Sequence, residues 1–132
     1  MEFIKAADVK TFVNNGVTSE QLLFPENSKS ERVTITRVTV QPEAEQPRHI
    51  HETSEQIWIA IKGKGILLLA DEQTKDFNEG DVVRFADCDV HGLKNASKEE
   101  FIYMSITSPP INFRKAYSSA QFIEDEPCLE DM

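Results

Sequence analysis

The strongest indication of the fold is the segment PRHIHETSEQIWIAIKGKG, residues 47–65. It begins with a pair of histidines, His49 and His51, and continues through an apolar run to two glycines. If the pair lies on a β-strand, residues two apart point to the same face, so both imidazoles can bind one cation while they are neutral. The chain contains one further histidine, His91, which can join the pair only if later strands return to the same place.

Most of the sequence has a hydrophobic period close to two, which is typical of β-strands. Val, Ile, Thr and Phe dominate the apolar runs, and Gly, Pro, Asn and Asp separate them. This spacing indicates an all-β domain, a small antiparallel β-barrel or jelly roll. The pattern predicts strands at residues 32–42, 56–62, 65–70, 81–85 and 101–107, with a polar turn at 71–76.

The two ends depart from the strand pattern, and we expect short helical or irregular segments there. Residues 8–15 are predicted to form one or two turns of helix, and residues 118–123 are a weaker helical candidate. Residues 124–132 are mostly acidic and are expected to form a flexible tail. A single domain is therefore expected over residues 1–123.

The composition excludes several classes of protein. The chain has 132 residues, and its 14 Lys and Arg against 23 Asp and Glu give a net charge of −9. A surface this acidic repels nucleic-acid backbones and anionic membranes, so neither is an expected partner. No apolar run is long enough to span a bilayer, and no secretory signal is visible. Two cysteines are too few for a disulfide framework, so we expect Cys88 and Cys128 to be free thiols in the cytoplasm.

Two segments of the chain resemble the two sequence motifs of the cupin family. Residues 41–65 match the first motif, which has a His-x-His pair, then a carboxylate or amide, then a glycine. Residues 80–95 match the second motif at Gly80, His91 and Asn95, in the right order and at the right separation. The resemblance implies a small β-barrel.

The same resemblance implies a metal site, because all three histidines fall on ligand positions of the family. His49, His51 and His91 would hold one divalent transition metal. Imidazole is a borderline ligand that suits Fe, Mn, Co, Ni, Cu or Zn, and the sequence does not choose among them.

The sequence leaves two adjacent residues as candidates for the fourth ligand. Counting forward from His51 selects Glu55, whereas counting back from Gly63 selects Gln56, and strand alternation allows only one of them to point inward. The glycine marks the tight turn at the end of the strand, so we favour Gln56. This choice resembles the cupins with a Gln ligand, among them enzymes that ketonise unsaturated uronates. A neutral ligand set leaves the full charge on the metal and makes it a stronger Lewis acid.

The second motif departs from the family pattern at Ala86 and Cys88, which replace the usual Pro and Gly. The glycine permits a backbone conformation that is costly for cysteine, so the turn before His91 is expected to have a different shape. The Cys88 thiol could reach the substrate pocket, or it could be an ordinary turn residue.

Three further residues are candidates for the pocket. If Gln56 points inward, so does Trp58, which would then stack against a substrate ring or sugar, or pack in the core. Tyr103 is a candidate proton relay. Arg37 could bind a substrate carboxylate through two parallel N–H···O hydrogen bonds, or it could form a salt bridge at the rim of the barrel.

These features favour a small metal-dependent enzyme that acts on an oxygen-rich small molecule, by isomerisation or ketonisation of a sugar acid or a similar enol or carbonyl compound. One alternative is a non-enzymatic protein that binds or senses a small molecule. Another is an Fe(II) dioxygenase, if Glu55 is the ligand. The family resemblance also implies a homodimer, with residues 19–24 and 32–40 as candidate contacts.

Overall fold

The computed structural model describes residues 1–112, and the fold over that range consists almost entirely of β-strands. The predicted helix at 118–123, the acidic tail and the predicted domain boundary lie outside the described residues. The strands are β1 (Lys10–Asn14), β2 (Val17–Leu23), β3 (Thr34–Val40), β4 (Glu45–His49), β5 (Glu55–Lys62), β6 (Lys64–Leu69), β7 (Thr74–Asn78), β8 (Val82–Phe85), β9 (His91–Lys94) and β10 (Phe101–Ser108).

The strands form two antiparallel sheets. One has six strands in the order β1-β2-β3-β10-β5-β8, and the other has four in the order β4-β9-β6-β7. Their buried faces pack against each other, because Trp58 of the first sheet lies 6.4 Å from Phe77 of the second between ring centroids. Leu67 and Leu93 of the smaller sheet belong to the same core cluster as Tyr103 of the larger one. The predicted all-β fold with a jelly-roll arrangement is confirmed.

Strict alternation gives the six-stranded sheet its buried face. In β3, in β10 and in β5 as far as Ala60, every second residue is buried, and the residues between them are half-buried or exposed. The β-branched and aromatic side chains on these strands suit a pleated surface with one face in the core. All five predicted strands are present with small shifts at their ends.

Two predictions about local structure are wrong. Residues 10–14 form strand β1 instead of a helix, and only Ala6–Asp8 make a short 3₁₀ turn. The chain turns at Asn15 and Gly16, whose φ angles of 49° and 83° are those of a tight hairpin. The Asn-Gly pair is a strong hairpin signal, and the helical interpretation overlooked it. The polar segment 71–76 also contains the start of strand β7.

Candidate metal centre

Two of the histidines face each other across a pair of neighbouring strands. His49 is the last residue of β4, His91 is the first residue of β9, and the antiparallel register pairs one with the other. Their ring centroids lie 4.3 Å apart. Gly92 lets the strands approach this closely, because a Cβ there would lie 2.7 Å from the carbonyl oxygen of Gln46. A larger residue would push β9 away from β4 at the point where the imidazoles meet.

The third histidine approaches from a loop. His51 lies two residues beyond the end of β4, so the assumption that both histidines of the pair lie on one β-strand is wrong at this residue. Its ring centroid still lies 5.0 Å from that of His49 and 5.1 Å from that of His91. The carbonyl of His51 accepts a hydrogen bond of 2.8 Å from the backbone N–H of Cys88, which ties this loop to the turn before β9. The predicted convergence of the three histidines is confirmed.

The backbone fixes which nitrogen of two imidazoles is available to a ligand. Nδ1 of His49 lies 2.8 Å from the carbonyl oxygen of Pro47, and Nδ1 of His91 lies 2.8 Å from that of Asp89. A carbonyl can only accept, so each Nδ1 carries the proton and each Nε2 carries a lone pair. The Nε2 atom of His91 is buried without a hydrogen-bond partner. This hydrogen bonding to the second ring nitrogen is the usual arrangement behind a metal-binding histidine.

Burial keeps the three imidazoles neutral. Desolvation lowers the pKa of His51 to about 3, and the charge of His49 contributes in the same direction. Desolvation also lowers the pKa of His49, against the opposing effect of its hydrogen bond to Pro47. For His91, desolvation and then the two neighbouring imidazoles hold the pKa well below its usual value. Neutral imidazole is the form that binds a metal.

The three histidines fit one transition-metal ion. One nitrogen from each can be chosen so that all three atoms lie within 4.8 Å of one another. Two nitrogens bound at about 2.1 Å to one ion can be up to about 4.2 Å apart, so a small movement of the rings would suffice. The paired strands, the fixed Nδ1 protons and the buried Nε2 of His91 agree with such a site.

The two candidates for the fourth ligand lie on opposite faces of β5. Glu55 points away from the core and forms an ion pair of 2.7 Å with Arg84. Gln56 is 4% exposed and lies on the buried face of β5. Its amide nitrogen donates to Thr107 Oγ1 at 2.9 Å, and its Oε1 accepts from the indole N–H of Trp58 at 2.9 Å. Because an amide oxygen has two lone pairs, one remains after the bond from Trp58.

Trp58 connects the histidine cluster to the core. It is 1% exposed, and its ring contacts His91 at 5.5 Å and Tyr103 at 4.3 Å between centroids. Tyr103 is equally buried, and its hydroxyl donates to Gln46 Oε1 at 2.5 Å. Trp58 therefore packs in the core and also borders the histidines, whereas the Tyr103 hydroxyl is engaged with β4.

Arg37 lies on the opposite face of its sheet from the histidines. The alternation of β3 buries Val38 and exposes Arg37, whose guanidinium forms an ion pair of 3.3 Å with Glu20. Of the two roles weighed for Arg37, the structure shows a salt bridge.

Cys88 keeps a backbone conformation that glycine usually provides. Its φ of 72° lies in the left-handed region, which costs a non-glycine residue of order 1–2 kcal/mol. The replacement of glycine by cysteine therefore does not move the backbone out of this region. Cys88 is disulfide-bonded, so the expectation of a free thiol there is wrong, and the argument from free thiols to the cytoplasm loses its support. Cys128 lies outside the described residues.

The buried face of the six-stranded sheet also carries a group of polar side chains that the sequence patterns did not indicate. The missed residues, all buried, are Gln21, Thr34, Thr36, Ser105 and Thr107. Thr and Ser occur on either face of a strand, so these residue types gave no signal by themselves. The strand pairing places Thr107 beside Gln56 and Ser105 beside Trp58, and it places the other three on the neighbouring strands of the same face.

The chain belongs to the cupin family, because a family model described as a cupin domain matches residues 36–107. No curated protein matches the sequence significantly. No helix in residues 1–112 is long and apolar enough to cross a membrane.

Solved structures with the same fold have different activities in their names. A polyketide cyclase from Streptomyces resistomycificus superposes with a TM-score of 0.70 at 21% identity, over 82% of this chain and 79% of that one. A predicted oxalate decarboxylase from Thermotoga maritima has a TM-score of 0.70 at 15% identity, over 81% and 98%. A sugar phosphate isomerase from Silicibacter pomeroyi has a TM-score of 0.67 at 12% identity, over 80% and 74%. Identities this low show the shared fold alone.

We predict that the metal-free protein becomes less stable as the pH falls below about 6.5, the pKa of histidine in an unfolded chain. The folded state holds its imidazoles neutral, so the unfolded state binds more protons, and acid favours unfolding. Each histidine removes up to about 1.4 kcal/mol of unfolding free energy per pH unit. Urea denaturation with a chelator at pH 7.5, 6.5 and 5.5 measures this. A free energy of unfolding that stays constant between pH 6.5 and 5.5 would contradict the buried neutral cluster.

Proposed function

We propose that the protein is a small metal-dependent enzyme that isomerises or ketonises an oxygen-rich small molecule such as a sugar acid. The observation that carries the proposal is the cluster of three imidazoles, with His49 and His91 buried and His51 half-buried. The buried neutral amide of Gln56 is linked to this cluster through Trp58, which donates to the amide and contacts His91. His49, His51, His91 and Gln56 would hold the metal. A bound divalent transition metal would supply Lewis acidity toward a carbonyl, carboxylate or enol oxygen.

The neutral ligand set supports a Lewis-acid reaction over oxygen insertion. Among the described residues, no buried side chain is an Asp, Glu, Lys or Arg, so no carboxylate would reduce the charge of the metal. In a ketonisation the enol oxygen loses a proton, the adjacent carbon gains one, and the C–O bond becomes a carbonyl. This reaction needs no oxidant. The dioxygenase alternative depended on Glu55, which forms its ion pair with Arg84 on the outside of the sheet.

The chain's own residues would mainly position and desolvate the substrate. Trp58 offers an aromatic edge next to His91, and its N–H orients the Oε1 atom of Gln56. Thr107 fixes the other end of the same amide. Because the Tyr103 hydroxyl is engaged with Gln46 and Arg37 lies on the outer face, we propose no chemical step for either of them.

The choice of fourth ligand can be tested with two neighbouring substitutions. Gln56→Ala is expected to weaken Co²⁺ or Ni²⁺ binding by about 10- to 100-fold, a loss typical of site residues around a metal, whereas Glu55→Ala changes it little. Isothermal titration of the two variants and the wild type measures the effect. Gln56→Glu retains a ligating oxygen and serves as the control, so it should bind the metal. Loss of affinity in Glu55→Ala alone would refute the assignment.

Enzymatic activity can be tested by hydrogen–deuterium exchange. Metal-loaded protein in D₂O should accelerate exchange at the carbon next to the carbonyl of a 2-keto sugar acid by at least about a hundredfold over chelator-treated protein, which is within the range of acid–base catalysis. NMR follows the loss of the proton signal. Oxygen consumption with the same substrates would instead support a dioxygenase. Saturable binding without exchange or oxygen uptake would support a binding or sensing protein and contradict an enzyme.

We also propose that the protein forms a homodimer through the outer face of the six-stranded sheet. Half-buried apolar residues of β3, β5 and β10 lie next to one another there, and Val82 at the edge is 64% exposed. Contiguous exposed apolar surface is typical of protein interfaces. The contributing neighbours are Ile35, Ile57, Ile59, Met104 and Ile106.

Light scattering coupled to size-exclusion chromatography tests the dimer. The wild type should elute at twice the mass of one chain, and Ile59→Lys should shift it toward a monomer because a buried charge at the interface is unfavourable. Ile66→Lys is the matched control, since Ile66 is half-buried on the other sheet. A monomeric wild type, or equal dissociation by both variants, would contradict this interface.

A further inference from the structure

The buried face of the six-stranded sheet is polar where it borders the metal centre. In one row of paired residues, Gln21 lies beside Thr36, Thr36 beside Ser105, and Ser105 beside Trp58. In the next row, Thr34 lies beside Thr107, and Thr107 beside Gln56. We refer to Gln21, Thr34, Thr36, Ser105 and Thr107 as the polar wall. The wall is continuous with the amide that we assign to the metal, because Thr107 accepts a hydrogen bond from Gln56.

Two members of the polar wall carry buried atoms without a hydrogen-bond partner. Gln21 is 0% exposed and its amide nitrogen donates to Ser19 Oγ at 2.7 Å, but its Oε1 atom has no partner. Thr34 is 1% exposed, and its hydroxyl also has no partner. An unsatisfied buried polar group costs about 1–3 kcal/mol, and native proteins keep few of them without a reason. Two such atoms on one wall point to a ligand that completes them.

The spacing of the wall suits a small molecule that reaches it from the metal centre. Thr34 is separated from Gln56 by one intervening strand, β10, which places the two strands about 10 Å apart. Gln21 and Thr34 occupy diagonal positions on neighbouring strands, about 7–8 Å apart. The hydroxyl groups along one extended carbon chain can therefore hydrogen-bond to both Gln21 and Thr34.

The chemistry of the wall defines the class of ligand. Its side chains are neutral hydroxyls and amides, which hydrogen-bond alcohols well but cannot neutralise an anion. Within residues 1–112 no Lys or Arg is buried, so a phosphate or a second carboxylate at the wall would have no counter-charge. Such an uncompensated buried charge is strongly unfavourable.

We propose that the polar wall is a recognition site for the hydroxyl groups of an unphosphorylated polyhydroxy monoacid or the corresponding ketone. One end of that molecule lies at the histidines, and its neutral hydroxyls hydrogen-bond to Gln21 and Thr34. This inference rests on the proposed function, since it places the acid or carbonyl end at the metal centre. It also excludes sugar phosphates and dicarboxylates as preferred ligands.

Three probes of similar carbon skeleton test the inference in metal-loaded protein by isothermal titration. Gluconate carries one carboxylate and several hydroxyls, hexanoate lacks the hydroxyls, and 6-phosphogluconate adds a phosphate. Gluconate is expected to bind at least about tenfold more tightly than either of the others, since each neutral hydrogen bond contributes about fivefold to tenfold. Equal binding of gluconate and hexanoate, tighter binding of 6-phosphogluconate, or no binding of any probe would overturn the inference.

A matched pair of variants on one strand assigns the discrimination to the wall. Thr34→Val should weaken gluconate binding about fivefold to tenfold and leave hexanoate binding and the metal stoichiometry unchanged. Thr39→Val makes the same substitution on the opposite face of β3 and should change none of the three. An unchanged gluconate affinity in folded Thr34→Val would overturn the assignment.

Stability provides an independent readout for the same variants. Because the Thr34 hydroxyl has no partner, Thr34→Val should keep or raise the melting temperature, whereas loss of a structural hydrogen bond would lower it. Gln21→Leu provides a second test, because it removes the other unpartnered atom.

The outcomes also separate the two proposals. If the protein binds its full complement of metal but binds the three probes equally well, the polar wall is refuted and the proposed function is not. Absence of metal binding refutes the proposed function. If the protein without metal still binds gluconate and Thr34→Val weakens that binding, the result would still support the wall.

Discussion

The close contact between β4 and β9 at the histidines is the constraint on which the candidate site depends. His49 and His91 are paired residues of these strands, and Gly92 lets the backbones meet where any side chain would collide with Gln46. The pairing brings together residues that are more than 40 positions apart in the sequence. The third imidazole needs no strand of its own, because the backbone hydrogen bond from Cys88 to His51 holds the loop beside them.

Burial then determines the chemistry that these side chains can perform. Three imidazoles with centroids about 5 Å or less apart could not all carry a proton in a desolvated environment, and the lowered pKa values express this. Neutral imidazoles with their Nδ1 protons held by backbone carbonyls are ready to bind a cation without first losing protons. The buried surroundings supply no carboxylate in the described part of the chain, which keeps the proposed chemistry close to that of a Lewis acid.

The same sheet combines a hydrophobic and a polar interior. Toward Phe101 and Tyr103 its buried residues are apolar except for Ser19, and the apolar ones form the core with the smaller sheet. Toward Thr107 and Gln56 they are hydroxyls and amides, some with unmet hydrogen bonds. Stability alone would favour apolar residues at both ends, since unpaired buried polar atoms are costly. The recognition role that we propose for the polar wall accounts for these polar residues, whereas folding stability alone does not.

Local periodicity and fixed offsets along the chain were enough to predict the strand pattern and the grouping of the three histidines. The spacing to Gly63 was likewise enough to favour Gln56 over Glu55. Local patterns failed at residues 10–14, where the Asn15-Gly16 turn decides the conformation. They also did not show which face of β3 is buried, since Thr34, Thr36 and Thr39 fit either face. The pairing of distant strands was needed to show that Arg37 lies on the outer face and that Gln21 and Thr34 belong to one polar wall. The physical reason is that strand register is a relation between distant segments, and packing against the second sheet sets it.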